Sequence, residues 1–242
     1  MTDADGDLRA RLLDCALAMV DEGGVPALTL RAIARRAGVS HSAPLRHFPS
    51  RAALLSAVAA EGYRELVRRR EQALLHLGPQ VPATDRLYAA ARMYVDFAVE
   101  RRGLFELMSR PDLLVPADPL LRRTSRPVFE TLVDLVAQSQ AEGWRPDVDT
   151  RLLAASVWSA VHGFTQLWLM GALTRAAGAD RLEDALDVAL RTLGLDRVPQ
   201  PLPQPLPQPL PQPLPQPLPQ PLPQPLPLPL PLPLPLPQPE EQ

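Results

Sequence analysis

The chain has 242 residues, with 25 basic and 27 acidic side chains and a formal net charge of −2. Every basic residue is arginine, and a balance so near neutrality excludes a general nucleic-acid coat, so any positive surface must be local. The single Cys15 excludes an intrachain disulfide and a multi-cysteine metal site, and the acidic start MTDADGD has no signal-peptide pattern, which leads us to expect a cytoplasmic protein.

A first helix is expected from about Asp7 to Glu22, with Leu13, Ala16, Leu17 and Val20 as its apolar stripe and Gly23-Gly24 as its end. Thr29 then has the chemistry of an N-cap, because its hydroxyl accepts an orphan backbone N–H. Leu30, Ile33, Ala34 and Ala37 follow at i, i+3, i+4 and i+7, one face of a second helix. Gly38 suits the left-handed C-cap, and Gly38-Val39-Ser40 makes a three-residue turn. Ser40 is expected to cap a third, short and polar helix running through His47, with Pro44 tolerated in its first turn. Phe48-Pro49-Ser50 ends it, and Ser50 caps the next helix. Arg31, Arg35, Arg36, Arg46 and Arg51 fall in or beside this unit, and no acidic residue occurs between Glu22 and Glu61. Surface helices ordinarily mix both signs, so this pattern describes a helix-turn-helix seated on a phosphate backbone. Residues 1–50 are taken as this DNA-binding domain.

Residues 51–197 continue as helices, and no segment alternates as a strand, which makes the fold all-α. Helices are expected over Arg51–Leu77, Thr84–Arg102, Gly103–Ser109, Pro119–Glu142 with a bend or interruption near Pro127, Asp149–Ala172 and Ala179–Leu193. The uncharged run from Leu152 to Leu173 is long enough to span a bilayer. Ser156, Ser159, His162 or Gly163, and Gln166 give it a polar stripe, however, so we expect no membrane span but a buried helix between a pocket and a dimer partner. The stripe Leu182, Leu186, Ala189, Leu190 and Leu193 on the last helix has no obvious cover in the chain and is read as part of that homodimer interface.

An apolar cavity with a few polar groups is the usual form of a small-molecule site. Its candidate lining is Met93, Phe97, Phe105, Phe129, Trp158 and His162, with Tyr94, Met108, Phe164 and Trp168 as further bulky residues; Asp96 and Glu100 are expected to pair with Arg92 and neighbouring arginines. The four histidines His41, His47, His76 and His162 form no ligand cluster, so no metal is expected. No activated nucleophile, paired carboxylates or phosphate loop points to catalysis or a cofactor. A body packed without a cavity would instead indicate a ligand-independent regulator, or an activator.

Residues 198–242 are low-complexity. From Pro199 to Pro239 every odd-numbered residue is proline, in PLPQ repeats drifting to PLPL. Such a tail is expected to be a disordered, polyproline II spacer on the order of 120 Å long. It reads either as a docking rod or, as we favour, as an expanded repeat without a role.

The residues Leu28-Thr29-Leu30-Arg31-Ala32-Ile33-Ala34, Ala37-Gly38-Val39-Ser40, Arg46-His47-Phe48-Pro49-Ser50-Arg51 and Leu54-Leu55 resemble the N-terminal signature of TetR-type transcriptional regulators. Trp158, His162 and Gly163 similarly resemble the Trp-x3-His-Gly signature of one subgroup's C-terminal domain. The resemblance implies an all-helical homodimer with a DNA-reading head and an effector-binding, dimerising body. It further implies a repressor released from its double-stranded operator by a small molecule. Thr29 and Arg31 would contact the DNA backbone, Ser40, His41, Ser42 and Ala43 would face bases, and His47 and Arg51 would contact phosphates. Leu45 stands where the family usually has a tyrosine whose hydroxyl reaches a phosphate, leaving neighbouring arginines such as Arg46 to compensate.

Overall fold

Thr29 caps its helix as its chemistry requires: the hydroxyl accepts the Ala32 N–H at 3.1 Å. In the computed structural model, which describes residues 3–78 and 80–196, every regular element is helical. The chain builds α1 (Asp3–Ala27), α2 (Leu30–Arg36), α3 (Arg51–Leu77), α4 (Ala83–Glu100) and α5 (Arg102–Met108). It continues with α6 (Pro119–Ala141), α7 (Thr150–Leu169), α8 (Ala172–Ala177) and α9 (Leu182–Thr192). The expectations for the proline tail lie outside the described residues.

Two apolar cores organise these helices. One joins the head to the base of the body, through Leu12, Ala16, Val20, Ile33, Phe48, Leu54, Leu104 and Leu107. The other lies wholly in the body, through Leu87, Val95, Leu135, Val157, Leu186 and Leu190. The head is held to the body where α5 crosses α1. There a Cβ on Gly103 would lie 2.1 Å from the Val20 carbonyl oxygen, so only glycine permits the approach.

Four sequence expectations need correction. The third helix of the head is not an α-helix: only a 3₁₀ turn forms, over Ala43–Arg46. The segment between Gly38 (φ 69°) and the Ser50 cap is short and contains Pro44, which has no N–H to donate, so the backbone closes with i to i+3 bonds. Ser40 caps it through its carbonyl, which accepts the Ala43 N–H at 3.0 Å, while its hydroxyl faces that of Ser42 at 3.3 Å.

The apolar run from Leu152 to Leu173 is not one helix either. Gly171 (φ 67°) takes the left-handed conformation and divides α7 from α8. Among the described residues no helix is long and apolar enough to cross a membrane. Next, α6 continues through Pro127 rather than stopping there. Finally, the stripe on α9 is covered by the chain itself: Leu186 and Leu190 are buried in the body core, with Leu182 and Leu193 packed against it.

Candidate functional sites: a basic head and a cavity in the body

Pro44 and Phe48 are buried and anchor the 3₁₀ turn to the head. The Arg9 guanidinium lies over the Phe48 ring at 5.4 Å, closing the outer side of that anchor. The residues between the anchors are therefore turned outward. Ser40, His41, Ser42, Leu45 and Arg46 are exposed, as are Thr29 and Arg31 on and beside α2, while Ala43 and His47 are half-buried. Leu45 is 52% exposed, so an apolar side chain faces water at this position.

The arginines of the head divide by partner. Arg31, Arg35 and Arg46 have no ion-pair or hydrogen-bond partner among the described residues. Arg36 is neutralised by Glu22 through two bonds of 2.5 and 2.6 Å, and the same pair holds the Glu22 carboxyl below its ordinary range. Arg51 is engaged differently: its Nε donates to the Leu28 carbonyl at 2.7 Å and Nη2 to the Val25 carbonyl at 2.9 Å. Its fork thus braces the α1–α2 connection, a role the sequence did not suggest beside the phosphate contact implied for it.

A cavity of about 60 Å³ opens among α3, α4, α6 and α7. Leu87, Ala90, Ala91, Met93 and Tyr94 of α4 form one wall. Val128, Leu132 and Leu135 of α6 form the second, and Val157, Trp158 and Val161 of α7 the third. Of the six side chains the sequence suggested, Met93 and Trp158 line this cavity. Phe97 does not: it is fully buried in the core shared with the head, with the Arg69 guanidinium over its ring at 5.5 Å. Phe105, Phe129 and His162 stand behind the lining. The Phe105 ring lies 5.5 Å from that of His162, and Phe129 lies 6.1 Å from Trp158.

His162 is held from two sides. Its Nδ1 is hydrogen-bonded to the Tyr94 hydroxyl at 2.9 Å, and Trp158 packs on the ring at 6.0 Å. Burial pushes its pKa below the ordinary 6.5 and pushes that of the Tyr94 phenol up. Asp96 pairs with Arg92 at 3.2 Å, and Glu100 with Arg69 at 2.5 Å, as expected for carboxylates that face away from the cavity.

Sequence reasoning missed Arg70, which reaches the cavity from α3 and is only 7% exposed. Nη2 donates to Thr131 Oγ1 at 3.0 Å and Nη1 to the Val128 carbonyl at 3.4 Å, while Nε has no partner. Leaving a buried donor unpaired costs about 1–3 kcal/mol, more for a charged group. Burial accordingly lowers the guanidinium pKa. The signal was there in the helical period: Ala59, Tyr63, Leu66 and Arg70 fall in one row on the inward face of α3.

A network of arginines links this region to the head. Arg101, at the α4–α5 junction, bonds Glu65 of α3 at 2.6 Å and Asp21 of α1 at 3.0 Å. Arg69 bonds the same Glu65 at 2.7 Å.

Comparison with known proteins agrees with this two-part layout. The profile described as "Bacterial regulatory proteins, tetR family" matches residues 12–58, and that described as "Tetracyclin repressor-like, C-terminal domain" matches residues 87–193. The HTH-type transcriptional repressor KstR of Mycolicibacterium smegmatis is 26% identical, over 82% of this chain and 93% of its own. A structure of a protein with unknown function from Rhodococcus sp. RHA1 is 31% identical, covers 78% of this chain and 96% of its own, and superposes with a TM-score of 0.68. The fatty acid regulator FadR from Bacillus subtilis, solved in complex with stearoyl-CoA, shares the fold at 15% identity and a TM-score of 0.54, over 76% of this chain and 96% of its own.

Proposed function

Because the chain belongs to the TetR family of bacterial transcriptional regulators, we propose that this DNA-binding regulator is a homodimeric repressor released from its operator by a small molecule. The observation that carries the reading is the outward face of the head. Arg31, Arg35 and Arg46 lack partners there, beside the exposed Ser40, His41 and Ser42. Unpaired guanidinium groups suit phosphates, and short polar side chains between them suit base edges. The curated relative named above is a repressor, which supports that sign of regulation here. A DNA-binding regulator acts where the chromosome is, which favours the cytoplasm.

Dimerisation is supported by what α7 and α9 leave uncovered. Leu152, Trp158, Leu167 and Met170 of the α7 region, and Val188 of α9, are exposed large apolar side chains. Gly163 points the same way, because a Cβ there would meet nothing within 4 Å inside the chain. A close approach needing that glycine must come from outside it. Two heads related by a two-fold axis then read two half-sites of a near-palindrome.

Release follows from the placement of the cavity. Its walls α3 and α4 carry Glu65 and lead into Arg101, and both residues belong to the ion-pair network that reaches Asp21 of the head. A ligand that favours one spacing of these helices favours one spacing of the heads. Sedimentation of Trp158→Arg against the wild type tests the arrangement. We expect the variant to be monomeric and to lose palindromic sites first; a variant that stays dimeric with unchanged DNA binding would contradict this interface.

A further inference from the structure

Arg70 is a buried cation that the chain leaves without a counter-charge. Among the described residues no carboxylate lies within ion-pair distance of it, whereas its neighbour Arg69 touches both Glu65 and Glu100. The two bonds it makes, to Thr131 and to the Val128 carbonyl, go to neutral oxygens, and one of them is long. Its Nε is buried and unbonded. Around it the cavity offers only carbon: Leu87, Ala91, Leu135 and Val161 are among its lining.

These features together specify a ligand. An anion would neutralise the charge, and an oxygen placed at Nε would fill the open donor. A carboxylate does both at once, because its two oxygens match the fork made by Nε and Nη2. The rest of the ligand must be apolar to replace water against the aliphatic walls. Its size is bounded too: about 60 Å³ at 10–15 Å³ per probe-sized group admits about four to six such groups. Trp158, on the wall and 49% exposed, places one side of the cavity at the surface of the chain.

We propose that this cavity is a binding site for a short apolar monocarboxylate, with Arg70 holding the carboxylate and the aliphatic walls of α4, α6 and α7 holding the chain. The assignment of this acid as the effector rests on the ligand-responsive reading above. The acid's binding alone does not.

The test is calorimetry on the full-length wild-type protein with hexanoate and hexan-1-ol, which differ in the group that would meet Arg70. Hexanoate is expected to bind at least about tenfold more tightly than the alcohol. In Arg70→Met, hexanoate should lose that advantage while hexan-1-ol is held as before. Arg70→Lys should keep the preference for the acid, weakened by the loss of the fork. Equal affinity of the wild type for the two compounds, or binding of neither, overturns the proposal without recourse to any variant. Operator binding is measured in parallel. Arg70-dependent hexanoate binding that leaves operator affinity unchanged keeps the acid site and removes the effector reading. Release of the operator by other compounds, with no preference for the acid, removes the acid site and keeps that reading.

Discussion

Arg46 in the head and Arg70 in the body are both guanidinium groups without a carboxylate partner. Arg46 is exposed on the 3₁₀ turn; Arg70 is 7% exposed on the wall of a cavity. In water an unpaired arginine costs little and waits for a polyanion whose condensed counterions it can displace. In an apolar interior the same group is expensive, and a fold retains it only with a compensating role. The contrast teaches that one residue type marks two kinds of site, and that burial decides which kind it is.

The joint between the two regions is where the comparison is most easily broken. Gly103→Ala would place a methyl group against the Val20 carbonyl, a backbone atom that cannot swing aside. We expect a loss of about 1–3 kcal/mol, a fall in Tm of roughly 2–12 °C for a protein of this size. Thermal unfolding with and without the substitution checks it; an unchanged Tm would mean the head is not seated on α5 as described.

The head alone is sharpened by three smaller changes. Arg31→Ala and Arg46→Ala should each weaken DNA binding on all sequences alike and lower the salt slope by about one. Fluorescence anisotropy across a salt series measures both effects. Leu45→Tyr supplies the hydroxyl that the resemblance leads one to expect at this exposed position. A gain of about 0.5–1.5 kcal/mol, roughly two- to tenfold in operator affinity, is the expected result. Thr29→Ala removes the cap on Ala32 and should cost about 1 kcal/mol of stability.

The body provides the smallest effect, through His162. Its folded-state pKa lies below 6.5 because burial disfavours the charged ring. The unfolded chain therefore takes up the proton first as pH falls. The stability associated with the neutral ring is present above the ordinary imidazole value and is lost as pH drops below it toward the folded pKa. His162→Gln should flatten the pH dependence of Tm in that window, and an unaltered profile would assign the dependence to other groups.

Local chemistry was legible in the sequence. Thr29, Gly38 and Ser50 announce helix ends by themselves, and the stripe on α2 needs only the helical period. What failed depended on partners distant in the chain. Leu186 and Leu190 looked uncovered because the α4, α6 and α7 surfaces that bury them lie elsewhere in the sequence. Phe97 looked like pocket lining because bulk alone cannot distinguish a core from a cavity. Arg70 was hidden in the run Arg68-Arg69-Arg70, which resembles a solvated face until the row through Ala59, Tyr63 and Leu66 is followed to its end. The third helix of the head shrank to a 3₁₀ turn because a proline and a short span outweigh a capping pattern.

The most direct test of the account is selection of genomic double-stranded fragments by the purified full-length protein at two salt concentrations. The account predicts recovery of a near-palindromic site whose affinity falls steeply with salt and is lost in an Arg31→Ala, Arg46→Ala double variant. Recovery of no site at low salt by a folded wild-type dimer would contradict it, and would show that a head with leucine at position 45 does not hold DNA.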